Sequence, residues 1–235
     1  LLAFLAACTV LFFARALEGR GTPALVGWAV ASSLALATHY FAILLVVPEA
    51  VWLVARSRAR VPALLASAVP AAVLLLHVPL LLDQRDIGQA VAESGLSGRI
   101  AGVPKALVVG YSFPWEIAGS IAAAVLVTAG LVLLARAPAD LRRRGLVAGG
   151  LAAVPLVLPI LLALGGSDYV IARNAILAIV PGAICLAAGY ATSRLGLAAA
   201  GALCVLGLAI TLSASLVDGY GRTDWRGAAE RLGPA

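Results

Sequence analysis

The chain has 235 residues, 63% of them hydrophobic and 12% charged, with a formal net charge of +6 and no methionine. Soluble domains run at about 45–50% apolar with glycine counted and about 25% charged, so a water-soluble globule is excluded and an integral membrane protein is expected. All the basic residues but Lys105 are Arg, and no basic run interleaves with aromatics, so nucleic acid is not an expected partner.

The chain opens Leu1-Leu2-Ala3 inside an apolar run. A translated chain begins with Met, so this sequence is expected to be an internal piece of a longer protein, starting within a span rather than at a signal peptide. Apolar runs follow at 1–14, 24–55, 61–82, 117–135, 146–164, 175–193 and 195–217. A crossing helix needs about 20 residues at about 1.5 Å rise each. The run 24–55 would make about 48 Å of helix against about 30 Å of hydrocarbon. It carries Thr38-His39-Tyr40 near its middle, and two short helices turning at that polar trio are expected.

Charge placement supports the turn. With it, the loops at 15–20, 56–60, 136–144 and 194 fall on one side. They hold Arg15, Arg20, Arg56, Arg58, Arg60, Arg136, Arg142, Arg143, Arg144 and Arg194 against Glu18 and Asp140. Basic residues gather on the cytoplasmic side of membrane proteins. The predicted fold class is therefore all-α, a polytopic transmembrane bundle of about eight helices with the first one partial. The membrane domain spans 1–217, with an outer loop at 83–116. The tail 218–235 is an extracytoplasmic segment that starts a surface helix or leads into a further domain.

Polar groups in or beside hydrocarbon cost free energy and mark candidate sites. His39 and Tyr40 either line an outward-facing polar cavity, where an imidazole could orient a phosphate or a sugar hydroxyl, or form a turn of interfacial aromatics. Glu49 follows Pro48 inside an apolar stretch and is expected to pair with a neighbouring helix. His77 reads as a satisfied packing histidine. The loop holds Asp83-Gln84-Arg85-Asp86, Glu93, Arg99, Lys105, Tyr111, Trp115 and Glu116. Its stretch 87–101 can form an amphipathic surface helix, and the loop either is solvated or covers a site. Trp115 fits an aromatic belt. In Asp168-Tyr169-Val170-Ile171-Ala172-Arg173-Asn174, Arg173 either clamps a phosphate at the outer end of a helix or clips to Asp168. Cys8, Cys185 and Cys204 lie in apolar runs without CxxC spacing and read as small hydrophobes. No Walker loop, GxGxxG, HExxH or GxSxG is present, and no metal or cofactor site is legible.

Several stretches resemble one family. THYFAILL at 38–45 resembles the THY-containing hairpin of bacterial family 39-like glycosyltransferases of the GT-C superfamily. DYVIARNAILAIVPGAICLAAG at 168–189 is similar to that family's late helix, and DWRGAAERLG at 224–233 to the segment that leaves its last span. The loop LLDQRDIGQAVAESGLSGRIAGVPKALVVGY has the family's look less specifically. The resemblance implies a GT-C-like membrane enzyme taking a sugar from a polyprenyl-phosphate donor to an acceptor on the outer side of the bacterial cytoplasmic membrane. It implies an acidic residue in the first outer loop, upstream of Leu1, as the catalytic base, so this piece is expected to lack that base. Arg173, Asn174, His39, Tyr40, Arg85 and Lys105 are the candidates for the donor phosphate and substrate. The rival class is a secondary transporter or permease, which would also have many helices and buried polar groups. Against it, no internal repeat is found and the ionisable groups gather at one face.

Overall fold

The computed structural model describes residues 1–57, 59–83, 95–217 and 231. Among them every regular element is helical and no strand forms. Helix α1 (Leu2–Leu17) and helix α2 (Thr22–Thr38) are joined by a tight turn in which Gly19 and Gly21 both take φ 76°, a left-handed conformation that side chains resist. Pro23 sits in the first turn of α2, where a missing N–H costs nothing.

The expected break at Thr38–Tyr40 is present. The Thr38 hydroxyl folds back to donate to the Leu34 carbonyl at 2.8 Å, His39 is extended at φ −158°, and Tyr40–Ala42 forms a 3-10 turn into helix α3 (Ile43–Arg56). In a continuous helix Trp28 and Glu49 would stand about 30 Å apart. Instead the Trp28 indole Nε1 donates to Glu49 at 2.8 Å, so the chain reverses at the turn, and α2 and α3 each pack on α1 and α4.

The run 61–82 is interrupted at His77. Helix α4 (Arg60–Leu76) ends there and helix α5 (Val78–Asp83) follows, with Pro79 in its first turn. The His77 Nδ1 lies 2.8 Å from the Val73 carbonyl, so it donates, and the side chain is satisfied as expected. Helix α6 (Leu96–Val109) coincides with the end of the surface helix expected at 87–101. It starts later and runs on through Pro104, while the part of that expectation at 87–94 lies outside the described residues.

Helices α7 (Glu116–Ala135), α8 (Ala139–Leu164), α9 (Ala172–Tyr190) and α10 (Arg194–Leu216) are long and apolar enough to cross a membrane. The crossings expected from the earlier runs are shorter, with 16, 17, 14 and 17 residues in α1 to α4. Arg142–Arg144 are not in a loop. They occupy the second turn of α8, because Arg is a good helix former and the helix continues past the end of the apolar run. Helix α9 opens with one α-turn (Ala172–Ala175), tightens to 3-10 over Ile176–Ala178, and is regular over Ile179–Tyr190. Pro181 has no N–H to give the Leu177 carbonyl, which accounts for the irregular start. Helix α10 is capped by the Ser193 hydroxyl, which accepts from the Gly196 N–H at 3.0 Å.

Among the described residues the core falls into three packed groups, the smallest of them Val109, Phe113, Ala123 and Ile210. Trp28, Leu45, Leu53 and Ala63 are buried between α1, α2, α3 and α4. Leu134, Ala148 and Cys185 pack α7, α8 and α9 together, and Gly130 and Gly189 let α7 and α9 touch backbone to backbone. Much apolar surface faces outward, including Ile117, Leu197, Val205 and Leu208, each at least 60% exposed. Soluble monomers do not display apolar patches of that extent, whereas a bilayer covers them. Of the cysteines, Cys185 is buried, Cys8 half-buried and Cys204 exposed among the outward apolar residues of α10.

The helices alternate between two ends. The α1–α2 turn and the α3–α4 junction share one cavity of about 630 Å³, and Arg56 lies with Arg142 and Arg143 around another. Those junctions therefore lie together, as the charge count anticipates. The opposite end gathers the α2–α3 turn, the 167–171 segment, α6 and Tyr111.

Candidate functional site at the α2–α3 turn and the start of α9

Two segments meet at the second end. The first is the α2–α3 turn, where an aromatic cluster builds outward. His39 and Tyr40 have ring centroids 5.5 Å apart, and Tyr40 and Phe41 4.6 Å apart. The second is the 167–171 segment, whose Tyr169 meets Phe41 edge-on at 5.6 Å. The contact joins residues more than 120 positions apart and places the start of α9 beside the turn.

The expected alternative for Arg173, a clip to Asp168, is not made. Asp168 is taken by Arg99 of α6 through both carboxylate oxygens: Arg99 Nη1 donates to Oδ1 at 2.7 Å and Nη2 donates to Oδ2. Asp168 also accepts the Val170 N–H at 3.2 Å. This pair is mostly covered, at 12% and 19% side-chain exposure, and Arg99 holds the Asp168 carboxyl below the usual carboxylate range. The segment before α9 is thereby anchored to α6, and Arg173 keeps its guanidinium. Among the described residues Arg173 makes no hydrogen bond or ion pair, and it is exposed.

Arg173 nevertheless acts on its neighbours. Burial first, and the Arg173 charge second, hold the His39 imidazole below its ordinary value. Burial and Tyr169 push the Tyr40 phenol up, with Arg173 opposing. Three of the expected site residues, His39, Tyr40 and Arg173, thus share one locality. The His39 Nδ1 accepts the Phe41 N–H at 3.2 Å, so a neutral His39 carries its proton on Nε2 and has a donor to offer.

The remaining expected residues have other positions. Asn174 is 3% exposed and its Nδ2 donates to the Tyr169 carbonyl at 3.0 Å, so it braces the segment that carries Tyr169. Lys105 of α6 donates to the Tyr111 carbonyl at 2.8 Å and pairs with Glu116. It lines a cavity of about 310 Å³ between α6 and Val170–Ala172, together with Arg99 and Tyr111. Arg85 lies outside the described residues, as does the tail at 218–230. Trp115 caps the start of α7 and packs edge-on against Phe113 at 5.0 Å.

Sequence reasoning did not single out Tyr169 or the apolar groove beside it. A cavity of about 390 Å³ runs from Tyr40 and Tyr169 between α3 and α8, along Leu44, Val47, Leu158 and Leu162. Its walls are helical stripes at spacings of three and four, a signal that also marks any lipid-facing stripe. The arrangement can hold an amphipathic anion: a charged head at Arg173, aromatic faces at Tyr40 and Tyr169, and an apolar channel for a tail. In comparison with known proteins, no family model, curated protein or solved structure matches the chain.

Proposed function

We propose that this chain is the membrane portion of a GT-C-type glycosyltransferase resembling the bacterial family 39-like enzymes, and that its His39–Tyr40–Arg173 end receives a polyprenyl-phosphate sugar. In this reading the protein resides in the bacterial cytoplasmic membrane with that end outward, and the sugar passes to an acceptor there. The observation that carries it is the pairing of an exposed, uncommitted Arg173 with an apolar groove whose mouth is Tyr40 and Tyr169. A lipid-linked phosphate requires both, a cation at the interface and a channel open to hydrocarbon. The lipid phosphate is the leaving group, and a guanidinium beside it stabilises the charge that develops as the sugar departs. His39 Nε2–H supplies a neutral donor to a phosphate oxygen or sugar hydroxyl. Arg99 and Asn174 position the segment without touching substrate.

The test is sugar transfer from a polyprenyl-phosphate donor by the full-length protein in mixed micelles. Arg173→Ala is expected to lower turnover by about 100-fold or more, the scale of one lost contact to a developing anion. Its thermal unfolding midpoint should match wild type, since Arg173 braces nothing. Arg173→Lys should retain part of the activity. Wild-type turnover in Arg173→Ala would refute the assignment.

A further inference from the structure

The groove between α3 and α8 does not end at Pro48 and Val154. Both residues also line a second cavity, of about 550 Å³, which continues toward the opposite end of the bundle. On α3 its wall is Pro48, Trp52 and Arg56, one residue every four, so a single helical stripe grades from apolar to cationic. On α8 it is Leu146, Gly150 and Val154, closed at the far end by Arg142 and Arg143. Three guanidiniums on two helices therefore ring the end of an otherwise apolar channel.

We propose that this second cavity binds an anionic phospholipid of the leaflet at the basic end, its phosphate between Arg56, Arg142 and Arg143 and an acyl chain along Trp52, Leu146 and Gly150. The charge pattern identifies the occupant. A soluble anion would satisfy the cations and leave the apolar length uncovered, and a zwitterionic lipid would bring a cation into a ring of three. The guanidiniums have donors to give. Arg56 lies over the Trp52 ring at 5.5 Å from its centroid, a contact that leaves its N–H edges open. Arg142 spends one Nη1 bond, at 3.3 Å, on the Ala135 carbonyl at the end of α7. Arg143 is exposed and makes no hydrogen bond or ion pair among the described residues. Guanidinium matches phosphate geometry with paired donors. Gly150 shapes the channel: nothing lies within 4 Å of where its Cβ would stand, so the space beside it is open. This site is independent of the sugar-transfer reading, because its residues lie at the other end of α3 and α8.

The test uses the whole chain purified in a non-ionic detergent, with thermal unfolding followed against added phosphatidylglycerol, phosphatidylcholine or inorganic phosphate. A ligand that binds only the folded state raises its midpoint in proportion to the logarithm of saturation. Phosphatidylglycerol should raise the midpoint, and the other two should not at equal concentration. Two variants should weaken the apparent affinity for phosphatidylglycerol by about tenfold or more: Arg56→Gln with Arg143→Gln, which removes charge, and Gly150→Phe, which fills the channel and leaves the charge. Quenching of tryptophan fluorescence by phosphatidylglycerol brominated on its acyl chains gives a second readout, expected to fall in Trp52→Phe. Equal stabilisation by phosphatidylcholine or by phosphate alone, or wild-type affinity in both variants, would overturn the proposal.

Discussion

Glu49 is fully buried and meets two neutral groups on other helices, the Trp28 indole, which donates at 2.8 Å, and the Thr9 hydroxyl, 3.3 Å away and also bonded to the Ala6 carbonyl at 2.9 Å. It therefore ties α3 to α2 and α1 and faces away from the groove that Pro48 lines. Removing it strands the Trp28 N–H without water, which costs about 1–3 kcal/mol before any cavity is counted. Glu49→Ala should lower the unfolding midpoint by several degrees in detergent, and Glu49→Gln by less, because the amide oxygen can still accept from Trp28. Equal losses would mean that the hydrogen bonds contribute little. His39 gives a prediction in pH. Its folded value lies below the ordinary imidazole value of about 6.5, so its neutral form stabilises the fold above that value, and the contribution is lost as pH falls through the lowered folded value. An NMR titration should place the His39 imidazole below 6.5. In Arg173→Ala it should move up part of the way only, since burial is the larger cause. No movement would separate the two residues and weaken the site. At this scale the sequence was informative wherever a polar residue sat in an apolar run, as at Glu49, His39 and Arg173. It was silent on partners, because Arg99 and Asp168 are 69 positions apart and nothing local announces that pairing.

Among the elements, the break between α2 and α3 was legible because an apolar run longer than the hydrocarbon must break, and the break falls where three polar residues interrupt it. The start of α6 was not. Its first residues lack a side-chain cap, and its place is set by Arg99 gripping Asp168 and by Val109 and Phe113 packing on Ala123 and Ile210. The helical place of the basic cluster of α8 is not legible for a different reason: a run of charge suggests a loop, whereas three Arg residues extend a helix readily. Contacts between α7 and α9 rest on glycine. A Cβ built on Gly189 overlaps the Gly130 carbonyl oxygen, a backbone atom that cannot rotate aside. Gly189→Ala should therefore destabilise the fold by about 1–3 kcal/mol even though alanine is the better helix former. Gly201→Ala, on the open face of α10 with nothing within 4 Å, is the matched control and should be neutral or slightly stabilising. If both variants behave alike in thermal unfolding, the close crossing is not a constraint.

For the whole molecule, the decisive question is which ends face together. Length alone assigns four crossings, since α3 at 14 residues makes only about 21 Å of helix. The contacts go further. Trp28 on Glu49 fixes α2 and α3 as antiparallel, and the two cavities along α3 and α8 fix Arg56 beside Arg142 and Tyr40 beside Leu158. Turns at 17–22 and 56–62 share a cavity, so the short helices and the long ones alternate in step. With that alternation, the arginine-rich junctions lie at one end and the His39–Arg173 cluster at the other. The positive-inside bias then predicts an orientation for the whole bundle in which the cluster faces outward. Single cysteines at His39, Tyr111 and Ala59, in a background where Cys8, Cys185 and Cys204 are replaced by Ala, test this directly with a membrane-impermeant maleimide on intact cells. His39→Cys and Tyr111→Cys should label from outside, and Ala59→Cys only after permeabilisation. Labelling of position 39 together with position 59 would mean that α2 and α3 do not insert as a crossing pair. It would also remove the outward-facing site that the proposed sugar transfer requires. Reversal of all three would keep the fold and its two cavities while turning the Arg173 end toward the cytoplasm.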